Sequence, residues 1–438
     1  MKYTPGILRE VLRSLIRKLE ETPEQFVRRP GRDFTRPRTL SFETVISLLL
    51  TMSENSIGKA LIRRFKNREG TPSASALVQQ REELLPAAME TLFQRFTACL
   101  RPTGRFQGYR LLAADGSDLK SAAYPGDPAS YRPGTARQHG WNLWHLNALY
   151  DLQNGIYTDV IVQKEREKDR KAALCVMVDR SSVSGSVILL ADRGYEACNN
   201  LAHLERKGWN YLIRLRVKNR AVAYGLKLSD TAQFDIPVQI TLGRQTARQL
   251  EQLSLVVPAS YYHVPPQMTF DDLEPKSTGF ATLSFRIVRI ETENGNTELL
   301  ITNLEPKQFP PTALKRLYTM RWEIESSFRN LKYAVGLIHL HTKKLDLVLQ
   351  EIFACFFILN FTQASIWTVD TAKNTFKYQC RVNFSDAVFA CCVFLREAIS
   401  NPLPLLQRKL LPIRPGRTVP RPPKITGNRI SSCYTSTR

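Results

Sequence analysis

Between Tyr109 and Arg216 the chain runs through seven segments in an order that few folds accept. YRLLAADGS, HLNALYDL and IYTDVIVQ read as strands; EKDRKAALCVMVDRS as a helix; VILLADRGY as a strand; ACNNLAHLERKG as a helix; and WNYLIRLR as a strand. Strand, strand, strand, helix, strand, helix, strand predicts a mixed α/β sheet. Asp115 and Asp192 each end an apolar strand and are each followed within two residues by Gly. Functional groups in open α/β sheets gather at strand carboxyl ends. An Asp before Gly at a strand end is also an ordinary turn, so both readings stand for each residue alone.

A third carboxylate comes from LYTMRWEIESSFRNLK, residues 317–332. Thr312 to Val335 holds no Pro or Gly and follows the start signal Pro310-Pro311-Thr312, which predicts one helix. At about 100° per residue, Leu317, Met320, Ile324, Phe328, Leu331 and Val335 share a sector roughly 80° wide, the stripe of a core-packed helix. With Tyr318 at zero, Arg321, Glu325 and Lys332 fall about 60°, 20° and 40° to one side of it, along the rim of that stripe. A solvated face carrying an Arg–Glu pair four residues apart gives the same pattern.

The flanks differ. Residues 6–100 are helical throughout, in four runs: GILREVLRSLIRKLEET, LSFETVISLLLTM, SENSIGKALIRRFKNRE and SASALVQQREELLPAAMETLFQRF. The basic loop RRPGRDFTRPRTL lies between the first two. Such a domain suits reading a DNA end, or caps the domain that follows. From about Val217 to Thr302, FDIPVQITL, LSLVVPASYY and FATLSFRIVRIE precede ELLITNL, with a hairpin turn at Asn294-Gly295; this predicts a β-rich insertion. LDLVLQEIFACFFILNF and DAVFACCVFLREAI then read as helices that complete the core. The Pro-rich basic end predicts a disordered tail able to bind backbone phosphates nonspecifically.

Charge sets the partner. The net charge is +22; residues 1–70 hold 15 Lys/Arg against 8 Asp/Glu, and residues 401–438 hold 8 against none. A balance so concentrated at the two ends is the footprint expected of a nucleic-acid binder, although basic surfaces also meet anionic membranes or ribosomes. The eight cysteines form no CxxC pair and several lie in apolar runs, as buried thiols of a reducing compartment do, with no zinc site. The amino terminus lacks the apolar core of a signal peptide, and IFACFFIL is too short to span a bilayer. The expectation is a soluble, cytoplasmic protein.

Asp115, Asp192 and Glu325 together offer oxygen ligands of the kind Mg²⁺ prefers. Two such ions about 4 Å apart activate an attacking oxygen and stabilise the leaving oxygen of a phosphoryl transfer. The spacing Y-x2-R-x3-E-x6-K, here Tyr318, Arg321, Glu325 and Lys332, resembles the signature of bacterial insertion-sequence transposases of the insertion sequence 4 type. The ADGS and ADRGY contexts are similar to the first and second acidic positions of the same DDE family, and the likeness spans roughly residues 105–370.

That resemblance implies a ribonuclease-H-like mixed sheet with a β-rich insertion, preceded by a small all-helical domain. Its divisions are a helical DNA-binding domain (1–104), the catalytic core (105–216 and, with C-terminal helices, 305–400), the insertion (217–304) and the basic tail (401–438). It implies Asp115, Asp192 and Glu325 as catalytic metal ligands, two Mg²⁺ ions for which Mn²⁺ can substitute, and DNA contacts by Tyr318, Arg321 and Lys332. The implied partners are double-stranded DNA, as terminal inverted repeats and target, and a second copy of the chain in a synaptic complex.

Relatives that cut through a hairpin stack a flipped base on a Trp from the insertion. Here no Trp stands between Trp209 and Trp322, so either Tyr261, Tyr262 or another aromatic takes that place or the route has no hairpin. His139 is a candidate DNA contact or ordinary strand residue, the pair His339 and His341 makes no case for metal, and Asp118 is a candidate substitute ligand. A metal-dependent endonuclease without strand transfer and a non-catalytic DNA-binding descendant are the competing functions.

Overall fold

The computed structural model describes residues 4–413 apart from 53–55, 137, 217–221, 223–225, 227, 229–230, 232, 259, 292–296, 371–377 and 409. Five helices come first: α1 (Pro5–Glu20), α2 (Phe42–Met52), α3 (Ile57–Phe65), α4 (Ala74–Glu83) and α5 (Pro86–Cys99). The Thr4 hydroxyl caps α1 by accepting from the Ile7 N–H, and Leu8, Leu12, Leu15, Ile16 and Leu19 form its buried stripe. The fourth predicted helix is two. Pro86 has no N–H for a continuing ladder and forces the residue before it out of helical geometry, so Leu84 and Leu85 are extended, and Leu84 bridges to Val27.

Then follow β1 (Arg110–Ala122), β2 (Tyr131–Arg132), β3 (Trp141–Asp151), β4 (Ile156–Lys164), α6 (Arg170–Arg180), β5 (Val187–Ala191), α7 (Cys198–Arg206) and β6 (Asn210–Arg214). β4 pairs with β3 and β3 with β1, both antiparallel; β1 pairs with β5 and β5 with β6, both parallel. The order β4-β3-β1-β5-β6 with those directions is ribonuclease-H-like. The insertion supplies β7 (Phe234–Gly243), α8 (Ala247–Gln252), β8 (Tyr261–His263), β9 (Phe280–Glu291) and β10 (Thr297–Thr302). β10 pairs with both β6 and β9, so these strands continue the same ten-stranded sheet. The Asn294-Gly295 turn lies outside the described residues. Only the end of LSLVVPASYY is a strand: Pro258 cannot donate to a ladder and Val256 is 86 % exposed.

The chain closes with α9 (Pro311–Thr319), a 3₁₀ turn (Met320–Trp322), α10 (Glu323–Arg329), a π turn (Asn330–Ala334), α11 (Leu345–Ile366), β11 (Cys380–Val382), α12 (Phe384–Leu395), α13 (Leu403–Arg408) and β12 (Leu410–Pro412). The expected tail beyond 413 lies outside the described residues. Alternation along the strands divides the interior in two. Leu111, Ala113, Ile188 and Leu190 face a core shared with α1–α5 and α9–α12; Leu112, Ala114, Leu189 and Ala191 face α6, α7 and the insertion.

α11 is the axis of the first core. IFACFFIL belongs to a 22-residue helix that is long and apolar enough to cross a bilayer, contrary to the sequence reading, yet 78 % of its apolar window is buried inside the fold. Its polar residues knit it to the rest. Asn360 accepts from the Tyr157 N–H at 2.9 Å and donates to Thr97 Oγ1 at 2.8 Å. Glu351 meets the fully buried Arg81 of α4 at 2.8 Å. The N-terminal helices are therefore packed into the same core as the C-terminal ones.

Candidate active site

Ala114 and Ala191 are the last paired residues of the parallel β1–β5 ladder, and the next residue on each strand is an acid, Asp115 and Asp192. Strands lie about 4.8 Å apart, so the ladder itself sets these two side by side. Asp115 does not end its strand, as the Asp-Gly pair suggested. β1 runs on to Ala122 because β3 continues to pair with it, Asp115 opposite Ala148 and Asp118 opposite His145. Asp192 does follow the end of β5 and precedes a short 3₁₀ turn, Arg193–Tyr195.

Glu325 reaches the pair through the segment 311–334, which is not one regular helix. Arg321, in the 3₁₀ turn that follows α9, stands over Tyr318 near the end of that helix, its Cζ 5.6 Å from that ring centre and 4.6 Å from the Trp322 ring. Tyr318 and Arg321 are buried, 5 % and 4 % exposed, instead of bordering the core as on a regular wheel. The Arg321 guanidinium lies between two acids, Nη1 3.5 Å from Asp115 and Nη2 3.5 Å from Glu325. Among the described residues its Nε and the Tyr318 hydroxyl have no hydrogen-bond partner. The π turn, marked by the Val335 N–H bond to the Asn330 carbonyl, presents Lys332 to β1, where its Nζ donates to the Asp118 carbonyl at 2.7 Å.

The charges act on one another. Burial pushes the Asp115 carboxyl above its ordinary range, and Glu325 and Asp192 push the same way, against the Gly116 N–H and Arg321. Burial alone would weaken the charge on Arg321, but the field of Tyr318, Asp115, Asp192 and Glu325 holds it above its ordinary value. Burial also pushes the Tyr318 phenol to about 12. Burial lowers the Lys332 ammonium, with Asp118 opposing.

An oxygen-only donor set of this kind fits a hard divalent cation. Among the described residues no three His, Cys, Asp or Glu side chains stand close enough to hold one ion as placed. The positive charge between Asp115 and Glu325 is the Arg321 guanidinium, so a bound ion and Arg321 would call on the same carboxylates.

Other candidates separate from this cluster. Asp118 accepts from His145 at 2.6 Å, and His341 pairs with Glu351. Tyr261 packs edge-on against Phe280 and donates to the Gln245 carbonyl in the insertion. Sequence reasoning passed over Trp322, whose ring is 54 % exposed beside Arg321, and Arg170, which donates to His145 at 3.0 Å. The Trp was hidden by its place in a presumed regular helix, and Arg170 by the charged run EREKDRK around it.

Comparison with known proteins gives three findings. Residues 106–361 match the family described as the transposase DDE domain. No curated protein matches the chain. A cryo-EM structure of the piggyBac transposase synaptic complex with hairpin DNA is similar over 92 % of this chain and 86 % of that one, at 13 % identity and a TM-score of 0.48, too low to carry an argument. The family match spans more than half of the chain and includes the Asp115, Asp192 and Glu325 positions: the protein belongs to the DDE transposase family.

Proposed function

We propose that the protein binds the terminal inverted repeats of its own bacterial insertion sequence, cleaves the DNA and transfers the 3′ ends to target DNA, as a transposase of the insertion sequence 4 type. The observation that carries this reading is the placement of Asp115 and Asp192 one residue beyond the last pair of the parallel ladder, with Arg321 linking Asp115 to Glu325. Transposases of this family use divalent metal ions. Asp115, Asp192 and Glu325 would hold two Mg²⁺ ions, or Mn²⁺ in their place, which would supply Lewis-acid activation of the attacking oxygen and stabilisation of the leaving one.

The remaining residues handle the strand. Arg321 has a planar fork suited to a phosphate, and its release from the two acids frees it to take one. Lys332, held against β1 by the Asp118 carbonyl, supplies a second cation. Tyr318 keeps Arg321 in line from below and contacts the terminal strand once Arg321 has moved. Two copies of the chain act together, each on an end bound by the other, in the cytoplasm.

The test uses labelled DNA bearing the inverted repeats that flank the gene, a target plasmid and Mg²⁺, with wild type and Glu325→Gln compared on native and denaturing gels. Cut ends and joined products from wild type alone support the reading. Cutting without joining makes the protein an endonuclease, and a shift by both proteins with no cutting makes it a DNA-binding protein without catalysis.

A further inference from the structure

Arg170, the first residue of α6, sits against the backbone just past Asp115 in β1 and just past Asp192 at the end of β5. A Cβ on Gly116 would lie 3.5 Å from its Nε, and a Cβ on Gly194 would lie 3.4 Å from its Nη1. The guanidinium is thus seated against backbone one residue past Asp115 and two past Asp192. Both distances are ordinary van der Waals contacts, so they place the side chain beside these two residues.

The side chain is fixed from behind. Its Nε donates to His145 Nε2 at 3.0 Å. A nitrogen that accepts carries no proton, so the His145 proton is on Nδ1, where it donates to Asp118 at 2.6 Å. His145 is fully buried on β3, opposite Asp118 in the register. A neutral imidazole therefore orients the cation without neutralising it. Among the described residues neither terminal nitrogen of Arg170 makes a hydrogen bond or an ion pair.

An arginine with one nitrogen anchored and its two terminal nitrogens left open, next to the backbone that carries Asp115 and Asp192, is suited to receive an anion. We propose that Arg170 binds a phosphodiester of the DNA strand at the cleavage site, held in position by the His145–Asp118 pair. This rests on the function proposed above and adds a residue to it. Arg321 pairs with Asp115 and Glu325, whereas the terminal donors of Arg170 pair with no carboxylate among the described residues. His145 is a positioning residue, acting through Arg170.

The experiment uses the full chain and a labelled duplex ending at the inverted repeat that flanks the gene, titrated between about 50 and 200 mM salt, with single-turnover cleavage in Mg²⁺. A protein that neutralises one phosphate fewer has a slope of log K against log salt shallower by about 0.9. Arg170→Gln is expected to show that change, to bind end DNA about tenfold more weakly, and to cut more slowly. Arg170→Lys, which keeps the charge and loses the fork, is expected to keep the salt slope while binding more weakly and cutting more slowly than wild type. His145→Gln is expected to keep the slope while lowering the cleavage rate at saturating DNA.

If Arg170→Gln matches wild type in affinity and salt slope, Arg170 is structural and the proposal is overturned, whatever its effect on melting temperature. Should Arg170→Gln fail to fold, the comparison falls to Arg170→Lys: cleavage at the wild-type rate and affinity overturns the proposal. If wild type itself neither binds nor cuts the duplex, the function proposed above falls and takes this inference with it; wild-type cutting with an indifferent Arg170 sinks the inference alone.

Discussion

The Arg321 guanidinium stands 3.5 Å from Asp115 while its other terminal nitrogen stands 3.5 Å from Glu325, so one buried cation is shared by two acids of the cluster. If a divalent ion takes the same carboxylates, the two compete. Arg321→Ala is expected to bind Mn²⁺ about tenfold more tightly by calorimetry, equivalent to about 1.4 kcal/mol. The same variant should melt lower than wild type in chelator, because Asp115 and Glu325 then repel without a counter-charge. Affinity equal to or weaker than wild type would show that ion and guanidinium do not share a place.

Arg81 and Glu351 join the amino-terminal helices to α11, and removing one partner of a buried pair strands the other. Glu351→Gln should cost about 3–5 kcal/mol in urea unfolding. Burial pushes the Glu351 carboxyl up, but the His341 hydrogen bond and the Arg81 charge pull harder and leave it below its ordinary value. A depressed carboxyl lends stability above its unfolded value near 4.5 and loses it as pH falls through the lower folded value. The gap between wild type and Glu351→Gln should therefore be full at neutral pH and shrink below about pH 4.5. A gap that stays constant into acid contradicts this.

Gly116 is fixed by its neighbour. A Cβ there would lie 2.6 Å from His145 Nε2, closer than non-bonded atoms tolerate, and His145 is buried with no direction in which to retreat. Gly116→Ala should destabilise by about 1–3 kcal/mol, read as a lower urea midpoint. It should also break the His145–Arg170 bond, visible as a shift in the His145 ring signals by NMR. Wild-type stability would mean that β1 and β3 separate there with ease.

Trp322 is more than half exposed, so Trp322→Ala should change folding stability by about 1 kcal/mol or less, the worth of its exposed cation–π contact with Arg321. If unpaired bases at a cut end stack on that ring, affinity for a duplex with a single-stranded end should drop by about 1–3 kcal/mol while affinity for blunt duplex stays put. Equal losses on both DNAs would exclude stacking.

The order of segments from Tyr109 to Arg216 was legible because strands buried on both faces are written as unbroken apolar runs such as VILLA and YLI. That each of two apolar strands leads into an acid was legible there too, whereas the parallel pairing that sets Asp115 and Asp192 side by side was not. The length of β1 was not legible: past Asp115 it reads GSDLKSA, a polar run held in a strand only by its long partner β3. The helix wheel failed for a different reason. A wheel assumes one pitch, and the segment carrying Glu325 is wound tightly at Met320–Trp322 and loosely at Asn330–Ala334. Arg321 lies in the first of these turns and Lys332 in the second, so neither keeps its place on the wheel. No local pattern distinguishes Arg170 from its charged neighbours, because its anchor, His145, lies 25 residues away on another strand.

The packing of α1–α5 around α11 also sets a timetable for the newborn chain. At about 5–20 residues per second, a ribosome needs on the order of 10–50 s to travel from Cys99 to Leu345. Through that interval Leu92, Phe93 and Phe96 wait for the helix that will cover them. Helices α1–α5 are made well before the partner that finishes them, and a message cut short before Leu345 yields a product whose apolar faces never meet that partner.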